Sequence, residues 1–164
     1  MNANLTTPKP VIARAATAEN LAHAQRSVMT LLADSSQTGG ALSVTRSVFP
    51  WGGDGAPSHF HTKASESLFV IGGRLQVLAG DEVLILEEGD FITIPPGLPH
   101  AFGAVSGADA EVLAIFTPAA DRFDYYRLLE RVVAGEADPA EIAASGERFD
   151  NHYVDSPAWR NARS

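Results

Sequence analysis

Between Gln25 and Thr117, apolar and β-branched residues come in short runs separated by glycine, proline and acidic turn residues. The runs are "RSVMTLLA", "ALSVTRSVF", "SLFVIGGRLQVLA", "VLILEE", "FITI", "HAFGAVS" and "EVLAIF", with "SSQTGG", "PWGGDGAP", "GDE", "GD", "PPGLP" and "GADA" between them. Runs of about 4–8 residues broken by turn chemistry, with no helical period, predict antiparallel strands closed into a sandwich or barrel. After Pro118 the period changes. Phe123, Tyr126, Leu129 and Val133 recur at helical spacing, and Gly135 is placed to end that helix. A second short helix is signalled by "DPAEIAASG": Asp138 caps, Pro139 fits the first position, Glu141 closes a capping box and Gly146 terminates. The tail "ERFDNHYVDSPAWRN" has no clear period. The expected fold is all-β, a single barrel with short C-terminal helices. It divides into an N-terminal arm or edge segment over residues 1–24, the barrel over 25–117 and a helical extension over 118–164 that packs on the barrel's outside or over one mouth.

Composition narrows the range of partners. A chain of 164 residues with 45% hydrophobic and 20% charged residues has the make-up of one globular domain. No run reaches the about 18 apolar residues of a membrane span, so no membrane partner is expected. The net charge of −8 comes without a basic stripe, which argues against nucleic acid. Met1 to Pro10 lacks the charged start and apolar centre of a secretory signal, so a cytoplasmic location is the expectation. Asn4-Leu5-Thr6 matches a glycosylation acceptor, but in such a chain it reads as chance. There are no cysteines, so any metal must be held by nitrogen and oxygen.

The stretch "HFHTKASE" carries the candidate chemistry. On a strand, alternation sends His59 and His61 to one face and Phe60 to the other. Glu66, across a short turn, can close on the same point, and His100 follows the "PPGLP" turn. Three imidazoles and a carboxylate from neighbouring strands would supply four ligands to a metal, with positions left for water or substrate. The alternative is that each histidine separately caps a loop or is satisfied in the core, which is the reading given to the isolated His23 and His152.

At these residues the sequence resembles the cupins. Gly53, His59, His61, Glu66 and Gly73 fill every fixed position of the first cupin motif, and Gly89, Pro95, Gly97 and His100 match the second. Ala104 stands where that motif often has an asparagine, a position that is not a metal ligand in the family. The resemblance implies a double-stranded β-helix, or jelly roll, with a divalent metal held by His59, His61, Glu66 and His100 at the base of an apolar cavity. Iron, nickel or manganese is favoured, with zinc or cobalt possible. The glycines and prolines agree with such a barrel: Gly72-Gly73 can bend a strand at a corner, and Pro95-Pro96-Gly97 can build a rigid turn that fixes where His100 emerges. Alternation turns Leu68, Val70 and Phe102 inward and Phe69 outward. Phe69, Phe91, Phe102, Phe116 and Trp51 are the aromatics available for lining and core. Arg46 either neutralises an anionic substrate group or faces solvent.

The short chain with all four ligands resembles most nearly the quercetinase-like dioxygenases of the family. That implies oxidation or cleavage of a small aromatic or enolic compound with O2, and a catalytic role for Glu66 in taking the substrate's hydroxyl proton. The alternatives are a non-redox isomerase or cyclase that uses the metal as a Lewis acid, and a small-molecule-binding module. A small-molecule substrate and a homodimer are the expected partners.

Overall fold

The computed structural model describes residues 9–164. The first eight positions of the arm, with the Asn4-Leu5-Thr6 triplet, lie outside the described residues. The elements in order are β1 (Asn20–Ala22), β2 (Val28–Ala33), α1 (Ser35–Thr38), β3 (Ser43–Phe49), β4 (His59–Phe60), β5 (Ser65–Ala79), β6 (Glu82–Glu87), β7 (Phe91–Ile94), β8 (His100–Ala104), β9 (Ala110–Thr117), α2 (Arg122–Val133), α3 (Pro139–Ala144), α4 (Gly146–Phe149), β10 (His152–Tyr153) and α5 (Pro157–Arg163). All seven runs read from the sequence form strands. The three strands that the pattern did not announce, β1, β4 and β10, are two or three residues long. β1 is the edge strand beside β2 and lies within residues 1–24.

Every strand pairing is antiparallel, and β5 belongs to both faces of the sandwich. Its first half pairs with β9 and β7, extending the sheet β1-β2-β3-β9. Its second half pairs with β6 and β8 in the opposite sheet, which continues through β4 to β10. The transfer occurs at a register shift between Val70 and Gly72, beside Gly73 with φ +75°. A Cβ at Gly73 would run into the Asp109 carbonyl oxygen, so the corner requires glycine both for the dihedral and for the close backbone approach.

The core between the sheets follows from alternation. Leu68, Val70, Leu75 and Val77 of β5 are fully buried, with Val112 and Phe116 of β9 and Phe102 of β8 packed against them. Phe69 points outward and is 38% exposed, as the period-2 pattern requires. The C-terminal helices cover two separate places. Phe123, Tyr125 and Tyr126 of α2 pack with Leu21, Leu31 and Phe149 at the β1-β2 end, while Trp159 of α5 lies on Leu78 and Ala101 outside the second sheet. The Asp138 capping box forms as expected, with Ala140 N–H donating to its side chain at 2.8 Å. Gly146 does not terminate a helix; Ser145 ends α3, and Gly146 opens α4. The tail read as aperiodic contains α5, started by Ser156, whose hydroxyl accepts from Trp159 N–H, and by Pro157 at the first turn. No helix among the described residues is long and apolar enough to cross a membrane.

Candidate metal centre

His59 of β4 and His100 of β8 are direct cross-strand partners, which puts their rings on one face with centroids 4.3 Å apart. His61 follows β4, and Glu66 enters from the first half of β5, in the opposite sheet. Two turns fix their approach. In the Pro95-Pro96-Gly97 turn, Gly97 takes φ +82° and its N–H donates to the His61 carbonyl at 2.7 Å, tying the His100 loop to the His61 loop. The Thr62-Lys63-Ala64 turn is held by one carboxylate from the C-terminal extension, Asp150, which accepts from the Thr62 hydroxyl and from the N–H groups of all three residues. Burial alone would raise the pKa of this carboxyl. Those hydrogen bonds outweigh burial and bring it down to about 2.

All four candidate ligands are 3% exposed or less, and their donor atoms lie within 4.8 Å of one another. Oε2 of Glu66 is 2.8 Å from His100 Nε2, 3.2 Å from His61 Nε2 and 3.8 Å from His59 Nε2. At the other nitrogen, each ring meets a main-chain carbonyl: Pro57 for His59, Asp150 for His61 and Leu98 for His100. A carbonyl only accepts, so Nδ1 carries the hydrogen in each ring and Nε2 of the neutral ring presents a lone pair to the centre. Three lone pairs converging on a carboxylate repel unless positive charge lies among them.

Protons meet that requirement poorly. Burial holds His59 well below the ordinary imidazole range, with the neighbouring His100 adding to the effect. For His100, burial acts in the same direction, but the hydrogen bond and charge of Glu66 outweigh it and the pKa rises. For Glu66, burial favours the neutral acid, yet hydrogen bonding to His100 and His61 prevails and keeps the carboxyl well below the usual carboxylate range. One proton on His100 serves one contact, whereas a divalent cation serves all four donors. The four residues therefore form a cluster suited to a metal ion, with nitrogen and oxygen ligands and with backbone acceptors fixing each ring.

His59 and Glu66 open onto a cavity of 320 Å³, at the lower end of the about 300–1,000 Å³ typical of small-molecule sites. Its wall combines Met29, Phe49 and Phe102 from the barrel with Tyr125, Tyr126 and Leu129 from α2. Of the aromatics that the sequence offered for lining, only Phe102 reaches the cavity. Trp51 and Phe91 are 80% and 58% exposed, Phe69 faces outward, and Phe116 lies buried against the His61 ring. Arg46 bonds Glu111 at 2.6 Å with its side chain 43% exposed, so it takes no part in the site. The arginine that does line the cavity is Arg122, the first residue of α2, which the sequence pattern did not single out. His23 also lies in the wall, with Nε2 lacking a hydrogen-bond partner rather than satisfied in the core. His152 stacks on Phe60 at 5.2 Å on the other side of β4.

The comparisons with known proteins agree with this geometry. Residues 45–116 match the family model described as Cupin domain. With the jelly-roll topology and both motifs in place, the barrel has the fold and the motifs of a cupin domain. A stretch of 78 residues is 32% identical to quercetin 2,3-dioxygenase of Bacillus subtilis (strain 168), covering 47% of this chain and 23% of that protein. The match thus takes in less than a quarter of the relative's length. Among solved structures, an RmlC-like cupin from Shewanella frigidimarina NCIMB 400 superposes with a TM-score of 0.60 at 18% identity, over 70% of this chain and 96% of its own. KdgF from Halomonas sp. gives 0.59 at 19%, over 68% and 98%. At such identity these two likenesses are of fold.

Proposed function

We propose that the protein is a metal-dependent cupin enzyme, a dioxygenase acting on a small aromatic or enolic compound. The observation that carries this reading is a complete three-histidine, one-glutamate donor set, two of whose members, His59 and Glu66, open onto a largely apolar cavity. The similarity to the quercetin dioxygenase named above supports it. Iron, nickel or manganese on these donors would supply a Lewis-acidic centre open to both an enolate oxygen and O2; zinc and cobalt suit the same atoms by donor type.

The residues of the chain divide the remaining work. His59, His61 and His100 hold three positions, their rings set by the Pro57, Asp150 and Leu98 carbonyls. The close histidine contacts of Glu66 fall on Oε2, leaving Oε1 to take the proton from a substrate hydroxyl. Phe49, Phe102 and Leu129 exclude water and fit a flat ring.

The test is metal content of the purified protein combined with oxygen uptake over a panel of flavonols and enols. Near-stoichiometric iron, nickel or manganese with substrate-dependent oxygen consumption is expected. A bound metal with no oxygen uptake across the panel would replace this reading with Lewis-acid isomerase or cyclase chemistry, and no bound metal would replace it with a binding module.

A further inference from the structure

Arg122 is 3% exposed and lines the cavity at the start of α2. Its hydrogen-bond partners are the Phe149 carbonyl at 3.1 Å, the Asn151 amide oxygen at 3.4 Å and the Tyr126 hydroxyl at 3.5 Å, all of them neutral. The guanidinium lies over the Phe116 ring at 4.2 Å and near those of Tyr125 and Tyr126 at 4.7 and 5.1 Å. Aromatic faces favour a cation but bring no opposite charge. Several other arginines are paired: Arg46 with Glu111, Arg74 with Glu87, Arg127 with Glu19 and Arg163 with Asp54. The most enclosed of these arginines makes no ion pair, Glu66 acting on it only through its charge, although a buried charge is the one that most needs such a partner.

Two further observations place the missing charge in the cavity. Arg122 Nε and Asn151 Nδ2 are buried without partners, so two donors remain unused where this arginine meets the wall. The acidic residues of the wall are Glu66, committed to the histidines, and Asp54, which bonds Arg163 at 2.7 Å. With a divalent ion on the four ligands, Glu66 offsets only part of that charge, and Arg122 leaves the cavity more positive still.

We infer that the cavity selects an anionic ligand, a ring compound bearing a carboxylate or enolate oxygen that faces both the metal ligands and Arg122. Arg122 sets this preference, with Asn151 holding its guanidinium in place. The inference deepens the enzyme reading by naming the charge of its substrate, but it is tested by binding alone.

The zinc-loaded protein, which is redox-silent, is titrated calorimetrically with two matched pairs: 1-naphthoate against 1-naphthamide, and 4-nitrophenolate against 4-nitroanisole. In the native sequence at least one anion is expected to bind about tenfold or more tighter than its neutral partner. In Arg122→Met that preference should shrink to about twofold, whereas Arg122→Lys, which keeps the charge, retains most of it. Loss for the naphthoate pair assigns a carboxylate, and loss for the nitrophenolate pair assigns an enolate-type oxygen. If Arg122→Met does not fold, Arg122→Gln, which retains a donor for the Phe149 carbonyl, gives the same readout. Equal affinity for anion and neutral partner in the native protein, or a preference that survives removal of the Arg122 charge in a folded variant, overturns the inference. Because no oxygen is consumed, a failed dioxygenase assay leaves this outcome unaffected, and the reverse holds as well.

Discussion

Asp150 and His61 meet across 89 positions of sequence: the His61 Nδ1–H donates to the Asp150 carbonyl, while the Asp150 carboxylate accepts from the Thr62 hydroxyl at 2.6 Å and the Lys63 N–H at 2.9 Å. One residue of the C-terminal extension therefore fixes both the tautomer of a candidate ligand and the loop that carries it.

Asp150→Asn tests that dependence. Asparagine suits the left-handed backbone of this position, φ 50° and ψ 49°, and keeps the carbonyl that His61 uses. What it removes is the charge and one of two acceptor oxygens. Metal affinity is expected to fall about tenfold, and the stability of the metal-free protein by about 1–2 kcal/mol. Chelator competition and urea denaturation measure the two effects. Unchanged affinity would mean that the loop holds His61 without the carboxylate.

His61→Ala and His100→Ala should each reduce bound metal to less than about a tenth of the native content, and turnover with it, while the far-ultraviolet circular dichroism stays that of a β-sandwich. Metal analysis on gel-filtered protein supplies the number. Full activity in a metal-depleted double variant would contradict the metal-dependent reading.

For Glu66→Gln the informative quantity is a ratio. If Oε1 accepts the substrate proton, turnover should fall about a hundredfold or more while metal content changes only severalfold. Parallel losses in kcat and metal occupancy would reduce Glu66 to a ligand.

Gly73→Ala addresses the corner of β5. A side chain there meets the Asp109 carbonyl and requires φ +75°, so a loss of about 2–4 kcal/mol is expected, read as a lowered Tm. A native Tm would mean that the corner can open without cost.

The strands and the donor set were legible because both rest on short-range regularities. Period-2 burial placed Leu68 and Val70 inside and Phe69 outside, and motif spacing named His59, His61, Glu66 and His100. The groups that complete the site were not legible, since they act only through the folded chain. Asp150 reaches the Thr62 loop from a helix end far along the sequence, and Arg122 opens a helix whose visible signal was its apolar face. β4 and β10 are too short to show alternation and exist because they pair with each other, β4 pairing also with β8. The helix of Pro157–Arg163 carries one buried anchor, Trp159, and one anchor shows no period.

β5 crosses from one sheet to the other, and the candidate donors divide the same way: Glu66 stands on its first half, and His59 and His100 project from the facing layer. The gap between the layers is therefore a coordination parameter. Leu68, Val77 and Phe102, which hold the sheets apart, act as spacers that set the bite of the donors. A change of one methylene in that packing is expected to alter the spacing of the candidate donors while leaving each of them in place.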